Sequence, residues 1–302
     1  MWEVRIGEII RSRREKLNIR QAKLSEGICT VSTLSKIENG VIFPTRYKLQ
    51  YLMERLGIDS EQYVILSSKR EIELNEMVRV FNSCLKKDPE VATYMLKRVE
   101  KAADSANDAE YQIFGECSLR LDIAERKKPL ESIEKEALEL LRDTKPEFSL
   151  DRLRNELLSK TEWNILIDYA KVLMLLNRKE EALEALLGLK EYLSGKHMDA
   201  ELIRGDYETV LLRIVETLVS MGRFFEADNY SDELLEGLYK NKATANLVEI
   251  MINRTTIAIN LRKPPEHVKR MITQTREVIK MDRGSETAER FDDYIRKECG
   301  YA

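Results

Sequence analysis

Apolar residues at three- and four-residue spacing divide the first sixty positions into four short helices. The pattern predicts a first helix that ends near Asn18 and a second that begins at Arg20 and Gln21. A third helix is expected to end at Gly40, because glycine readily takes the left-handed backbone conformation that closes a helix. The fourth is expected to begin after Thr45, a residue type suited to a helix N-cap.

The second and third helices lie within residues 21–40 and have the spacing of a helix-turn-helix. On a helical wheel, the side of the third helix that is expected to pack inward carries Thr30, Leu34 and Ile37. The opposite side carries Ser32, Ser35 and Lys36. Small polar side chains and one cation suit a helix whose N-terminal half enters the major groove of DNA. The pattern therefore predicts a DNA-reading helix.

Two sets of residues are predicted to contact double-stranded DNA. The set expected to read bases is Ser32, Thr33, Ser35 and Lys36. Lys36 is the expected contact to guanine, whose major-groove edge offers two acceptors. The set expected to hold the sugar-phosphate backbone is Arg20, Gln21, Lys23 and Asn39. The N-terminus of the second helix also offers unpaired backbone N–H groups to a phosphate.

From Glu71 onward the chain is a succession of amphipathic helices separated by short polar or proline-containing turns. The turns fall at residues 86–89, 127–129, 177–179, 221–223 and 262–265. Such a recurring unit predicts helical hairpins stacked into a solenoid, with five hairpins at most. Ala182 and Ala227 share one small-residue position in two of the hairpins, and a helix around residues 290–297 is expected to cap the array.

The predicted fold class is all-α, with a DNA-binding domain at residues 1–67 and a repeat domain at residues 68–302. A linker is expected within residues 57–70, where no helical period is apparent. Twelve glycines and six prolines leave few breakers for a turn-rich β protein. Residues 1–58 carry a net charge of +5 and the remainder carries −8. A basic module on an acidic body favours a phosphate-facing domain attached to a scaffold that does not itself bind nucleic acid.

Composition argues against several other functions. The four cysteines are far apart and the two histidines lack ligand-spaced neighbours, so we expect no disulfide, no metal site and no cofactor. The absence of a glycine-rich phosphate loop and of a nucleophile motif favours a protein that is not an enzyme and has no catalytic residues. The sequence shows no signal peptide and no long apolar run, so we expect a cytoplasmic protein without a membrane partner.

The N-terminal pattern resembles the phage-repressor (Xre/Cro, lambda-repressor-like) type of helix-turn-helix across residues 6–58. The matching residues are Gly7, Ile10, Arg11, Arg14, Leu17, Gln21, Leu24, Gly27, Ile28, Leu34, Ile37, Glu38, Gly40, Pro44, Leu49, Leu52 and Leu56. The spacing from Leu24 to Leu34 is one residue shorter than in typical phage repressors. The run LSEGICTVSTLSKIENG, with FPT after it, looks most like the PlcR and Rgg regulators. A second departure from the pattern is Arg20, where a Ser or Thr helix cap is common.

The resemblance places the chain near the peptide-sensing RRNPP group, whose members carry tetratricopeptide-like repeats behind the DNA-binding domain. It implies a right-handed α-solenoid whose groove binds a short linear signalling peptide. If Ala182 fixes the repeat phase, the side chains that face the groove are Asn164, Asp168, Lys171, Tyr207, Arg213, Glu216, Asn253 and Asn260. The resemblance suggests that Asn164 and Asn253 clamp the peptide, because an amide both donates and accepts hydrogen bonds. An ordinary solvated face or an inter-repeat hydrogen bond is the alternative for each residue.

The chain has one expected function and two alternatives. The hypothesis is a homodimeric, quorum-sensing type of transcription regulator that binds an operator with two half-sites under the control of a peptide. The first alternative is a repeat scaffold that binds and sequesters a partner protein. The second is a helix-turn-helix repressor that responds to no peptide.

Overall fold

A computed structural model describes residues 2–60, 69–85, 87–103, 108–195, 197–241 and 246–297 of the chain. Within these residues all regular secondary structure is helical and no strand occurs. The predicted all-α class is therefore confirmed.

Fifteen α-helices follow one another along the described residues, and the 3₁₀-helix Leu150–Asn155 lies between the eighth and the ninth. Helices α1 to α4 are Trp2–Lys16, Gln21–Ser25, Val31–Glu38 and Arg46–Arg55. Helices α5 to α10 are Lys69–Cys84, Pro89–Ala102, Asp108–Glu125, Leu130–Thr144, Lys160–Leu175 and Lys179–Leu193. Helices α11 to α15 are Ala200–Ser220, Phe224–Asn241, Leu247–Asn260, Pro265–Arg283 and Ser285–Lys297.

Helices α1 to α4 form the predicted four-helix module. Asn18, after α1, and Gly40, after α3, adopt left-handed φ angles of 55° and 67°, so the two predicted helix ends are confirmed. Thr45 is the N-cap residue of α4, although its side chain accepts no capping hydrogen bond. The predicted inward orientation of Thr30 is wrong, because Thr30 is exposed and precedes α3 as its N-cap. A residue outside the helix does not follow the helical wheel.

The repeat region consists of helix pairs joined at the predicted turns. The pairs are α5/α6, α7/α8, α9/α10, α11/α12 and α13/α14. Lys86, in the first turn, lies outside the described residues. Asn177 and Gly222 both adopt left-handed φ angles, 61° and 73°, so asparagine takes the place of the turn glycine in the α9/α10 pair. The right hand expected for the array stays a prediction.

The chain divides into two compact units, Met1–Ile203 and Arg204–Ala302. The helix-turn-helix module and the first three helix pairs share the first unit. Their hydrophobic core is continuous, since Leu34 and Leu52 of the module belong to one cluster with Leu74 of α5 and Val99 of α6. The expected linker includes residues 61–68, which lie outside the described residues, and the domain boundary at residue 67 stays a prediction.

The second unit has two hydrophobic clusters of its own. Leu211, Leu234 and Ile250 bring α11, α12 and α13 together. The terminal helix α15 packs against α14 and buries Phe291 and Ile295, while its other face is charged and exposed. A polar outer face is what a capping helix of a repeat array requires.

Candidate nucleic-acid interface

Helix α3 is held by a cap at its start and by the core along one side. The Thr30 side chain accepts a hydrogen bond from the backbone N–H of Thr33 at 3.1 Å. Leu34 is fully buried and Ile37 almost so. This anchoring leaves Ser32, Lys36 and Asn39 exposed and Thr33 and Ser35 half-buried. Of the predicted base-reading residues, Ser32 and Lys36 therefore lie on the outer face of the helix, and Thr33 and Ser35 lie at its margins.

A buried carboxylate at the end of α3 ties the three helices of the motif together. Glu38 is 4% exposed and accepts hydrogen bonds from Arg14 Nε at 2.6 Å and from Gln21 Nε2 at 2.7 Å. The hydrogen bond and the charge of Glu38 outweigh burial and raise the pKa of Arg14. Gln21 is one of the predicted contacts to the sugar-phosphate backbone of DNA, and its hydrogen bond to Glu38 fixes the direction of its side-chain amide.

An open cleft of about 430 Å³ lies between the end of α1, the start of α2 and α3. Its lining residues are Arg11, Arg14, Glu15, Arg20, Gln21, Ser35, Glu38 and Asn39. The structure thus brings Arg20, Gln21, Ser35 and Asn39 of the predicted set to one cleft. Arg11 was absent from that set. The sequence signal was its place among the residues that match the phage-repressor pattern, three residues before Arg14.

Lys23 occupies a different environment from the other predicted backbone contacts. Its Nζ lies 2.7 Å from Glu156 Oε2 and 3.4 Å from Glu26 Oε2. Burial lowers its pKa, but the hydrogen bond and charge of Glu156 together with Glu26 outweigh that effect, and the net pKa is raised. The Lys23 ammonium is therefore charged and shared between two carboxylates, one of which lies outside the helix-turn-helix module.

Helix α4 joins the module to the first repeats, and it is buried on nearly every side. Arg55, at its end, is fully buried and pairs through Nη2 with Glu162 Oε1 of α9 at 2.5 Å. Arg55 also donates to the backbone carbonyl of Glu26, and Thr144 donates to Glu162 at 2.5 Å. Burial raises the pKa of Glu162, but the charges of Arg55 and Lys145 lower it overall. A charged pair therefore crosses the core between the module and the repeats.

Lys145 is the second buried cation of this contact and is 1% exposed. Its Nζ lies 3.2 Å from Glu26 Oε2 and 3.8 Å from Glu156 Oε2. Burial, followed by the nearby charge of Arg55, lowers the pKa of Lys145 to about 8 despite the opposing carboxylates.

Backbone contacts complete the attachment. Arg13 Nη2 donates to the carbonyl of His197 at 2.6 Å, and the N–H of Asp199 donates to the carbonyl of Gly57 at 2.9 Å. The carboxylate of Glu54 accepts the N–H of Lys160 at the start of α9, at 2.8 Å. Helix α3 takes no part in these bonds, so the attachment leaves its polar face exposed.

The predicted peptide contacts of the first unit lie on α9. Asn164 and Asp168 are half-buried and Lys171 is exposed. Asp168 Oδ2 accepts a hydrogen bond from Arg120 Nε of α7 at 2.9 Å. For Asp168 the structure therefore shows an inter-repeat hydrogen bond, the alternative that the sequence left open.

The predicted peptide contacts of the second unit lie on α11 and α13. Tyr207 donates to Glu233 at 2.5 Å, and Arg213 pairs with Glu216 one turn away at 2.6 Å. Asn253 and Asn260 each donate Nδ2 to a carbonyl four residues earlier in α13, at 2.9 and 2.8 Å. Seven residues separate the two amides, so they point the same way along the helix.

The described residues offer neither a metal site nor a membrane-spanning helix. No three or more His, Cys, Asp or Glu side chains there are grouped in a way that could hold a metal ion. Cys29, Cys84 and Cys117 carry free thiols, and Cys299 lies outside the described residues. No helix in the described part of the chain has the length and apolar character needed to cross a bilayer.

Comparison with a protein family supports the assignment of the N-terminal module. Residues 10–62 match the family described as helix-turn-helix. The capped and core-anchored α3 agrees with that match. The chain thus joins a helix-turn-helix module to a body of helix pairs.

Two solved structures share this fold along nearly the whole chain. PlcR of Bacillus thuringiensis, in complex with the peptide PapR7 and DNA, superposes with a TM-score of 0.63 at 15% identity, covering 96% of this chain and 99% of that chain. The apo form of the competence regulator ComR from Streptococcus vestibularis gives a TM-score of 0.52 at 16% identity, covering 99% of both chains. The predicted PlcR-like architecture is confirmed at the level of the fold. No curated protein matches the chain by sequence.

Proposed function

We propose that this protein is a sequence-specific DNA-binding transcription regulator whose repeat region binds a short linear peptide. The observation that carries the DNA-binding part is the outer face of α3. There Ser32 and Lys36 are exposed at the side of a cleft lined by Arg11 and Arg20. Hydroxyl and ammonium groups on a helix can bond base edges, and guanidinium groups beside them can hold phosphates.

The peptide-binding part is supported by the repeat fold and by its polar side chains. PlcR, which has the same fold, was solved with a peptide and DNA. In this chain Asn164 lies half-buried on α9, and Asn253 and Asn260 lie on one side of α13. An extended peptide requires donors and acceptors for its backbone, and side-chain amides supply both. The remaining proposed contacts are Asp168, Lys171, Tyr207, Arg213 and Glu216.

A homodimer is part of the proposal. Two helix-turn-helix modules on one operator must present their α3 helices about one turn of DNA apart, or a multiple of that distance. A peptide that binds one arrangement of the two modules more tightly than another would shift the population toward it. DNA binding would then respond to the peptide through the spacing of the modules.

Selection of bound duplexes from a random pool tests the DNA-binding part. We expect the full chain to enrich one sequence with two half-sites. The variant carrying Ser32→Ala and Lys36→Ala should lose protection of that sequence in footprinting. Lys297→Ala, which truncates an exposed lysine on α15, is the matched control and should leave protection intact. An unchanged footprint from the double variant would show that α3 does not read the site.

Isothermal calorimetry tests the peptide-binding part. The probes are synthetic peptides encoded by small open reading frames beside this gene. We expect one of them to bind, and we expect binding to weaken with Asn164→Ala or Asn253→Ala. Asn229→Ala, on the exposed face of α12, is the matched control. Flat titrations with every peptide, together with a protein recovered by the full chain, would favour the partner-sequestering scaffold. Flat titrations with intact operator binding would favour a peptide-independent repressor.

A further inference from the structure

One exposed residue of α3 is apolar. Val31, the first residue of the helix, is 44% exposed. At about 100° per residue it lies some 40° from Ser35 and some 100° from Ser32. It also lies some 20° from buried Glu38 and some 60° from buried Leu34. Val31 therefore stands at the boundary between the buried and the outer face, at the helix end that would enter the major groove first.

Other residues supply the cap and the core packing at the start of α3. A hydrophobic residue before a helix often packs against one in its first turns, and here the residue before the Thr30 cap is Cys29. Cys29 and the buried Leu34 belong to the same hydrophobic cluster, so the packing at the helix start is already supplied without Val31. Thr30 satisfies the backbone N–H of Thr33. Val31 is not a member of that cluster, and 44% of its surface is exposed.

The chemistry of the major groove offers one apolar group, the 5-methyl of thymine. Hydroxyl and ammonium groups such as those of Ser32 and Lys36 discriminate bases by hydrogen bonds and gain little from a methyl. A valine gains from it by excluding water between apolar surfaces. Because its Cβ is branched, valine holds nearly one rotamer in a helix, so little side-chain freedom is lost on contact.

We propose that Val31 is a specificity-determining residue that reads the 5-methyl group of one thymine in each half-site. This proposal rests on the proposed DNA-binding function and adds to it the kind of base that the start of α3 selects. Burial of one methyl group corresponds to about a fourfold difference in affinity, so the expected preference is for thymine over the same base without its methyl.

Deoxyuridine provides the test, because it pairs as thymine does and lacks only the methyl. The site is first selected from a random duplex pool by the full chain, with and without the candidate peptides. Each thymine of the selected half-site is then replaced by deoxyuridine and the dissociation constant is measured. At one position, we expect the replacement to raise the dissociation constant of the native chain about fourfold. The same replacement should leave the dissociation constant of the Val31→Ala variant almost unchanged.

Two variants separate base reading from folding. Alanine favours helix more than valine, so Val31→Ala is expected to keep α3 folded. Val41→Ala removes the same atoms from an exposed valine beyond the end of α3, and it should keep the native response to deoxyuridine. The role of Val31 is overturned if the Val31→Ala variant still responds to deoxyuridine, or if no thymine position responds in the native chain. Either result leaves the proposed DNA reading by α3 standing. A pool from which no sequence is enriched overturns the proposed DNA reading and the role of Val31 together.

Discussion

Arg55 and Glu162, 107 residues apart in sequence, form an ion pair in which both side chains are fully buried. The pair joins the last turn of α4 to the first turn of α9, so it connects the DNA-binding module to the third helix pair. A buried pair contributes little compared with apolar residues of the same shape, but loss of one partner leaves a charge without compensation.

Replacement of one partner should therefore lower the free energy of unfolding more than replacement of both partners. Arg55→Met is expected to lower the free energy of unfolding by about 3–5 kcal/mol. Addition of Glu162→Gln should recover part of that loss, because glutamine removes the unpaired charge and can still serve the capping box with Ser159. Urea unfolding can be followed by the fluorescence of buried Trp163 in a Trp2→Phe background.

An exposed ion pair is the control for this cycle. Arg79 and Glu76 pair at 2.6 Å across one turn of α5, with most of both side chains in solvent. Arg79→Met should leave the unfolding curve unchanged. Additive losses from Arg55→Met and Glu162→Gln would contradict the coupling of the buried pair.

Because the pKa of Lys145 is lowered, we expect the stability of the protein to depend on pH in the alkaline range. Its pKa is lowered in the folded chain to about 8, from an ordinary value of 10.5. Between these values the unfolded chain binds more protons, so the contribution of Lys145 to stability rises with pH across this window. The rise is on the order of 3 kcal/mol, complete near pH 10.5 and absent below pH 8.

Lys145→Met should abolish that rise. Lys23 still faces Glu26 and Glu156 in this variant, so both carboxylates keep a cation. The measurement is the difference in unfolding free energy between native chain and variant at several pH values from 7 to about 10.5. A difference that stays constant with pH would show that Lys145 titrates at its ordinary value.

The helix-turn-helix module approaches the repeats closely at Gly27. Its φ is +66°, and a Cβ atom there would overlap the backbone of Thr144 at the end of α8. Gly222 has a similar φ of +73°, but a Cβ there meets only the Phe224 ring at 3.9 Å. Both alanine variants should lose about 1–2 kcal/mol from backbone strain. Gly27→Ala should lose about 1–3 kcal/mol more because backbone must move.

Chemical denaturation followed by circular dichroism compares the two glycine variants. Equal losses would mean that the module and α8 are farther apart than the structure shows. A larger loss for Gly27→Ala would locate the close approach at the turn between α2 and α3.

Arg20 and Lys23 should differ in their effect on the salt dependence of DNA binding. Each phosphate contact contributes about 0.9 to the slope of log affinity against log salt concentration. Arg20 is exposed in the cleft, so Arg20→Ala should lower the slope by about that amount. The Lys23 ammonium is shared between Glu156 and Glu26, so Lys23→Ala should lower the slope by less. Affinity for the selected duplex at several salt concentrations measures both, and equal slopes would show that Lys23 leaves its carboxylates on binding DNA.

The sequence alone determined the local structure of this protein. Helix ends followed from residues that tolerate a left-handed backbone, such as Asn18, Gly40 and Asn177. The spacing of apolar residues predicted which side of α3 is buried and where the five helix pairs lie, because burial of one helix face needs only a local apolar stripe. The resemblance carried by residues 6–58 added the PlcR-like combination of this module with a repeat region.

The tertiary structure decided what these elements contact. Arg55 lies on the same side of α4 as apolar Leu52, and its partner is 107 residues away, beyond the reach of any local pattern. By charge, the sequence predicted a basic DNA-binding module and a separate acidic body. In the fold, Lys23 and Glu26 of the module and Lys145 and Glu156 of the body form one cluster of ion pairs. Charge pairing across a shared core depends on distance in space, and one-dimensional spacing carries no information about that distance.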